Sequence, residues 1–405
     1  MTVLQPGTGA IRSEIYLPAT LETVLWGRLP CATDAAVLTI EPGTAVTIDT
    51  LSHEGILEDQ GRDPAAFFAR FGVPVDGVLD DAVALAASAH PHDPAVDGPH
   101  VVTGPIAVRG ARPGDLLAMT VVELLPRVPY GVISNRHGRG ALPGEFPRGG
   151  ASVVSVFAAV DETGAFGTMP RVLGGPHDIR FPLAPFLGTM GVAVAGDERP
   201  HSVPPGDHGG NIDIRLLVPG TTLYLPVQVP GALAYVGDPH FAQGDGEVAL
   251  TAMEASLRAT VRFDVVPAAD RASLGLSALT GPFVATPEYA VPTGIDLDLD
   301  EAVRKTVRTA IAFLGERYGL DPEHALAYLS AATDFDISQV VDRVSGVHAR
   351  IRTADFDRAP GSGELPGSGG VPWSDEPPRS PERVTRDRPE SRTGSSNTLG
   401  SEEGA

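Results

Sequence analysis

The sequence has almost no cysteine and lysine, on which many covalent catalytic mechanisms depend. Among 405 residues there is one cysteine, Cys31, so no disulfide can form within the chain. Lys305 is the only lysine, and every other strong base is an arginine. A nitrilase-type Cys–Glu–Lys set would have to use these two residues, yet Cys31 lies in a loop-to-strand segment and Lys305 in a predicted surface helix. No G-x-S-x-G elbow, P-loop or G-x-G-x-x-G is present, which argues against a serine hydrolase and a nucleotide cofactor.

Long apolar segments and positive charge are also scarce. No apolar run approaches the ~20 residues that cross a bilayer. The N-terminal segment MTVLQPGTGAIRSEIYLPAT lacks the basic region and apolar core of a signal peptide. The formal net charge of −21 disfavours nonspecific attraction to nucleic acid or anionic lipid. We therefore expect a cytoplasmic protein with no nucleic-acid and no membrane partner.

Glycine and proline, in contrast, are abundant, at 47 and 38 residues. A Pro-Gly pair followed by alternating apolar residues occurs in EPGTAVTI (41–48), RPGDLLAM (112–119) and VPGTTLYL (218–225). Proline favours the second position of a tight turn and glycine the third, so each segment predicts a turn that leads into a strand. Further strands are predicted at 100–108, 151–160 and 256–266. The body of the chain, 20–266, is therefore expected to be rich in β-sheet.

Helical spacing of apolar residues occurs between Asp59 and Ala89 and again near the C-terminus. The segment 297–319 begins with acids and has apolar residues three and four apart, and 321–332 follows with Asp321 as N-cap and Pro322 at the first helical position. We expect DISQVVDRV (336–344) to continue this helical region, which spans 296–350.

The composition changes abruptly near Ala359. From 359 to 405 proline, glycine, serine and charged residues replace almost all aliphatic ones. Such a segment cannot bury enough apolar surface to offset its ordering entropy, so this tail is predicted to be disordered.

Histidine and carboxylate groups are the remaining candidates for chemistry. They cluster in IDTLSHEGILED (48–59), AHPHDPAVDGPH (89–100), GGPHD (174–178) and GDPHFAQGDGE (237–247). Imidazole and carboxylate oxygen suit zinc and similar divalent ions. None of the clusters has a fixed metal-binding spacing such as HExxH, so each alone is a weak signal.

Two of these clusters favour a functional interpretation. Asp49 and His53 lie at the exit of a predicted strand, where Glu54 begins a loop. In GDPHFAQGDGE the glycines allow sharp bends, so that several acids and His240 can converge. Like charges held so close together require a cation or a proton to compensate them.

Residues 209–254, GGNIDIRLLVPGTTLYLPVQVPGALAYVGDPHFAQGDGEVALTAME, closely resemble the acetamidase/formamidase family. That family carries a GGN-x-D element, a strand ending in LYLPV and then GD-x-H-x-x-QGDGE. TGPIAVRGARPGDLLAMTV (103–121) and PFLGTMGVAVAG (185–196) are similar to further family elements, and the resemblance extends over roughly 24–351. One departure is LETVLWGRLPC (21–31), which keeps Trp26 but lacks the histidine that usually precedes it.

The resemblance implies an α+β, β-rich fold with sandwich-like sheets and a C-terminal helical region. It identifies 1–358 as the catalytic region, with sub-domains at 20–266 and 296–350, and implies a homo-oligomer. The implied activity is hydrolysis of a small linear non-peptide amide, such as formamide or acetamide, to a carboxylic acid and ammonia. A divalent metal, with zinc the expected ion, would assist. Two alternatives stay open: a cyclic amide (lactam) hydrolase, and a catalytically inactive oligomeric binding protein on the same scaffold.

The residue pattern and the resemblance together give three groups of candidates. The catalytic candidates are Glu247, as proton carrier, His240 and Asp245. The candidate metal ligands are His53, His240, Asp49 and Asp238. Candidates for substrate contact or ligand support are Asn211, Asp213, Gln243, Glu54 and His100. Structural alternatives exist for Asp213, which can pair with Arg215 or Arg180, and for Asp245, which can simply form a turn.

Overall fold

A computed structural model describes residues 2–356 of the chain. The tail at 359–405, predicted to be disordered, lies outside the described residues, and the division into sub-domains stays a prediction. Among the helices of residues 2–356, none combines the length and the apolar character that a membrane span requires.

Strands are the most frequent regular elements of the described chain. In chain order they are β1 (Ile15–Leu17), β2 (Val24–Trp26), β3 (Leu38–Ile40), β4 (Thr44–Asp49), β5 (Val101–Val108), β6 (Leu116–Pro126), β7 (Tyr130–Arg136), β8 (Val153–Val160), β9 (Phe166–Met169), β10 (Ile179–Pro182), β11 (Phe186–Gly191), β12 (Gly209–Asn211), β13 (Thr222–Pro226), β14 (Ala234–Ala242), β15 (Met253–Glu254), β16 (Leu257–Val266), β17 (Phe283–Ala285), β18 (Tyr289–Asp296), β19 (Asp334–Gln339) and β20 (Ser345–Arg352). The α-helices are α1 (Pro64–Ala69), α2 (Asp80–Ala87), α3 (Leu299–Tyr318) and α4 (Pro322–Ala332). Short 3-10 helices cover Glu58–Gln60, Val75–Gly77, Ala268–Leu274 and Thr353–Asp355.

The strands form two large sheets, as the sandwich prediction requires. One sheet has nine strands in the order β1-β4-β16-β6-β13-β17-β18-β20-β19. The other follows the order β10-β9-β8-β7-β15-β14-β11-β12, and β5 joins it by pairing with β14, β2 and β3. With few helices, the two longest of them in the C-terminal region, the α+β, β-rich fold class is confirmed.

Strand β6 shows how the layers are stacked. Leu117, Met119 and Val121 point into the core that the two sheets share. Leu116 and Ala118 alternate with them and point into a second core beneath α3 and α4. Because β6 is buried on both faces, its sequence is an almost continuous apolar run, and the molecule has three layers: sheet, sheet and helices.

The two C-terminal helices begin where the sequence predicts. The Asp298 side chain accepts a hydrogen bond from the Glu301 amide at the start of α3. The Asp321 side chain accepts one from the His324 amide at the start of α4, and Pro322 follows it. The prediction that DISQVVDRV continues the helical region is wrong, because Asp334–Gln339 forms β19 and pairs with β20. The carboxylates of Asp334 and Asp336, two residues apart on one face, both pair with Arg350 of β20.

Asp49 is the anchor between strands β4 and β16. Its Oδ1 lies 2.6 Å from Arg258 Nε and its Oδ2 lies 3.0 Å from Arg258 Nη2. Tyr16 donates its hydroxyl to the same carboxylate at 2.5 Å, and Arg127 Nη2 lies 3.6 Å away. The side chains of Asp49, Arg127 and Arg258 are fully buried. This carboxylate therefore neutralises buried arginines and holds the sheet together.

We predict that Asp49→Asn destabilises the fold strongly. The substitution leaves buried guanidinium groups without their counter-charge, which costs about 3–5 kcal/mol in the free energy of unfolding. Chemical denaturation measures the loss. The matched control is Asp178→Asn, since Asp178 pairs with Arg171 on the surface and such pairs contribute at most about 1 kcal/mol. Equal, small effects of both substitutions would contradict the anchoring role.

Candidate active site

Strand β14 carries the centre of the candidate site. Asp238 and His240 are two residues apart on this strand, and His240 Nε2 lies 3.1 Å from Asp238 Oδ2. The neighbouring strand β15 adds Glu254, whose Oε1 lies 3.0 Å from the same His240 nitrogen. All three side chains are buried, and together they offer converging ligand atoms of the kind that hold a cation.

Two further histidines approach Asp238 from the other side. His53, in the segment after β4, has Nδ1 3.6 Å from Asp238 Oδ1 and 3.9 Å from Glu254 Oε2. His100, immediately before β5, has Nε2 3.9 Å from Asp238 Oδ1. The other ring nitrogen of His100 lies 3.1 Å from the Ser202 hydroxyl, which fixes the orientation of the ring. Asp238 therefore lies between His53 and His100 on one side and His240 on the other.

A third group shares His240 with the first. Ligand atoms of Asp213, His240 and Glu247 lie within 4.8 Å of one another. Gln243 connects the group, because its Oε1 lies 3.1 Å from His240 Nδ1 and its Nε2 donates to the Asp213 carbonyl oxygen at 2.9 Å. When His240 donates from Nδ1 to Gln243, its Nε2 is left to face the acids.

The backbone around this cluster is shaped to bring the acids together. Gly188 of β11 faces them, and a Cβ there would lie 2.4 Å from Asp213 Oδ1 and 2.8 Å from Asp238 Oδ2. Asp213, Asp238 and Glu247 have φ values of 49°, 49° and 48°, in the left-handed region that costs non-glycine residues about 1–3 kcal/mol each. Three strained residues in one cluster are typical of a functional site.

Burial and nearby charges shift the pKa values of the acids in this cluster in opposite directions. Burial, reinforced by the charge of Glu247, raises the pKa of Asp213 well above its usual range. Burial likewise raises the pKa of Glu247, against the opposing charge of His240. Burial also opposes ionisation of Asp238, but the positive charges of His100 and His240 outweigh it and hold that pKa well below the usual range. The cluster thus contains both proton-holding and ionised carboxyl groups.

Several buried polar atoms of the cluster make no hydrogen bond of good geometry within residues 2–356. They are His53 Nδ1, His240 Nε2, both carboxylate oxygens of Asp213, Asp238 Oδ1 and Glu254 Oε2. Leaving such atoms unpaired is costly, and buried polar atoms are usually satisfied. Nitrogen and oxygen atoms that converge in this way fit a bound divalent cation.

The cluster also contains residues that the sequence did not reveal. Glu254 is the last residue of the family-like segment 209–254. An acid next to apolar residues was the feature that could have marked it as a site residue. Asp342 follows β19, and the incorrect helix prediction concealed it. Burial raises the pKa of Asp342 to about 7, and its carboxyl group is within hydrogen-bonding reach of Asp213 and Asn211.

Three predicted residues have other partners. Asp49 lies in the ion-pair network of the nine-stranded sheet. Asp245 Oδ2 lies 2.7 Å from Arg215 Nε, so this acid pairs at a partly exposed turn. Glu54 is bound by Arg136 and Gln60, while its Oε1 lies 3.5 Å from His53 Nε2, so it positions that ring. Asn211, another predicted residue, accepts a hydrogen bond at its Oδ1 from the Thr189 hydroxyl at 2.8 Å.

The cluster opens into a cleft of about 820 Å³. Its floor is formed by His53, His100, Asn211, Asp238, Glu247 and Glu254. Its walls come from the segments 136–141 and 340–345. The acid-rich cluster is therefore buried at the bottom of a cavity that a small molecule can enter.

Comparison with known proteins agrees with this architecture. The sequence model of the Acetamidase/Formamidase family matches residues 193–357. The chain is 30% identical to an acetamidase of Mycolicibacterium smegmatis over 199 residues, 37% of this chain, and spans about half (49%) of that protein. It is 27% identical to a formamidase of Methylophilus methylotrophus over 302 residues, which is 60% of this chain and 73% of the relative.

Solved structures share the fold. An acetamidase from Bacillus halodurans superposes with a TM-score of 0.64 at 24% identity, covering 84% of this chain and 98% of that one. A predicted acetamidase/formamidase from Thermoanaerobacter tengcongensis gives 0.65 at 21% identity, covering 87% and 97%. Residues 193–357 therefore resemble the acetamidase/formamidase family in sequence, and the fold agrees with that of the two solved structures.

Proposed function

We propose that this protein is an amidohydrolase that cleaves a small linear non-peptide amide to a carboxylic acid and ammonia. The observation that carries the proposal is the convergence of Asp238, His240 and Glu254, with Glu247 beside them, at the floor of a cleft. The similarity to an acetamidase and a formamidase supports the choice of substrate class.

A divalent ion, which we propose to be zinc, fits these residues. His53, His100 and Asp238 would hold it in one group of ligands, and Asp238, His240 and Glu254 form an adjacent group. The orphaned nitrogen and oxygen atoms described above are the support for this assignment. When bound, such an ion supplies a Lewis acid that polarises a carbonyl oxygen and lowers the pKa of water.

The remaining chemistry is assigned to side chains of the cleft. Hydrolysis forms a C–O bond to water and breaks the C–N bond, so a proton from water must reach the leaving nitrogen. We assign this transfer to a carboxylate oxygen of Glu247, which lines the cleft. Burial makes its carboxyl group bind a proton more tightly than an exposed glutamate does, which suits a group that takes up a proton and returns it. Asn211 lines the same cleft and would orient the substrate amide.

The family resemblance further supports a homo-oligomer in the cytoplasm. Sedimentation of the purified protein tests the first of these, and cell fractionation tests the second.

Glu247→Gln is expected to lower kcat on formamide or acetamide by about 10²–10⁴-fold, since the amide side chain cannot accept the proton. Ammonia release measures the effect, and circular dichroism checks the fold. Glu323→Gln, an exposed position on α4, is the matched control and should retain full activity. Full activity of the Glu247 variant would remove this residue from the proposed mechanism.

Removal of the metal is expected to abolish ammonia release. Metal analysis of the purified protein should find at least one zinc per chain, and dialysis against a chelator should eliminate turnover until zinc is returned. The Asp178→Asn variant should keep its metal, because Asp178 forms an exposed ion pair with Arg171 outside the cluster. Turnover that persists in metal-free protein would overturn the assignment.

Gly188→Ala is expected to lower metal affinity by about 10–100-fold. The added methyl group would overlap Asp213 and Asp238 and push these acids out of position. Titration with zinc against a competing chelator gives the affinity. Gly244→Ala is the control, because a Cβ at that position meets nothing within 4 Å. Equal affinities of the two variants would show that Gly188 does not shape the cation site.

A further inference from the structure

The cleft is much larger than the smallest amides. Its volume of about 820 Å³ lies in the range of roughly 300–1,000 Å³ that is typical of pockets for drug-sized ligands. Acetamide is comparable to a handful of water molecules and would fill only about 100 Å³, at ~30 Å³ per water. A substrate that uses the walls of the cleft must extend well beyond its amide group.

The charged residues of the walls are unevenly paired. The three acids that line the cleft above the cluster are all engaged: Glu58 with Arg62 and His92, Asp59 with Arg136 and His137, and Asp97 with Arg28. Two lining arginines, Arg139 and Arg343, form no ion pair within residues 2–356. The mouth of the cleft therefore carries two positive charges that no described acid neutralises.

The surroundings of Arg343 keep its charge available. Its Nη2 lies 3.0 Å from His201 Nε2. Burial, followed by the positive charge of Arg343, lowers the pKa of His201 to about 4, so this ring is neutral at pH 7 and does not change the charge beside the guanidinium. Arg139 contributes to the same positive field, since its charge also lowers the pKa of His201. Arg343 has a φ of 65°, a strained value in the loop that also carries Asp342.

The floor and the mouth thus have opposite polarity. Asp238, Glu247 and Glu254 lie at the bottom, and Arg139 and Arg343 lie at the opening. A neutral amide group with an anionic group at its far end would be oriented by this field, with the amide toward the acids and the anion toward the arginines. The chain has a formal net charge of −21, so the two unpaired arginines at the cleft are opposite in sign to the charge of the molecule as a whole.

We propose that the substrate is the monoamide of a short dicarboxylic acid, whose free carboxylate is bound by Arg139 and Arg343. This inference rests on the proposed amide hydrolysis and narrows its substrate class. Arginine suits the role because its planar guanidinium matches a carboxylate with two parallel hydrogen bonds. Cleavage releases ammonia and a dicarboxylate, with the same bonds broken and formed as for acetamide.

Succinamate and succinamide provide a matched test, because they have the same size and differ in one carboxylate. With kcat/KM taken per amide group, the zinc-loaded protein should favour succinamate by at least about tenfold. Arg139→Gln and Arg343→Gln should each lower this ratio by about tenfold, or bring it close to one where it starts low. The preference should also weaken as salt concentration rises. Arg171→Gln, at an exposed ion pair that does not line the cleft, is the control and should leave the ratio unchanged.

The outcomes separate the two proposals. Hydrolysis of acetamide with a succinamate-to-succinamide ratio near one would overturn the anion site and leave the amidase function standing. A ratio that the arginine substitutions do not change would also overturn it, and would indicate that the arginines pair with another subunit. If no amide is cleaved, the proposed function fails, and calorimetric binding of succinate decides the anion site. Binding that the double Arg139→Gln/Arg343→Gln variant loses would support the site, and no binding to the unsubstituted protein would overturn it.

Discussion

Repulsion between buried carboxylates is the constraint that governs this structure. Asp213, Asp238, Glu247 and Glu254 are packed around His240, where burial leaves their charges poorly screened by water. At such separations in a medium of low polarity, ionising all of them is very unfavourable unless protons or cations compensate. The distribution of raised and lowered pKa values, the histidines on both sides of Asp238 and the unpaired ligand atoms are all responses to this one requirement.

The charged residues that stabilise the fold and the acids that repel one another lie in different parts of the structure. The nine-stranded sheet is buried on both faces at β6, and the Asp49–Arg258 pair, in which charges are matched, joins two of its strands. The other sheet supplies β14, whose Asp238 and His240 are poorly satisfied by their own surroundings. Strained φ values and an obligatory glycine at 188 are tolerated there because the matched network and the two cores hold the scaffold.

Local signals in the sequence predicted the elements well, and tertiary context accounts for what they missed. Pro-Gly turns and the cap at Asp321 depend on neighbouring residues, so they could be identified from the chain alone. The segment at 334–339 is a strand because it pairs along its backbone with β20, which follows it in the chain. Asp49 and His53 are close in sequence and looked equivalent, yet one binds buried arginines and the other faces Asp238. Which of two nearby acids or histidines enters a cluster depends on chain segments far away, and no spacing rule contains that information.

The pairing of β4 with β16 has a consequence for how the protein is made. Asp49 and Arg258 are 209 positions apart. A ribosome adding about 5–20 residues per second needs roughly 10–40 s to cover that distance. During this time β4 has no β16 to pair with, and the apolar residues around it lack one wall of their core. Such long-range pairing slows folding and exposes strand edges to aggregation, so production of this protein is expected to depend on low temperature or a chaperone.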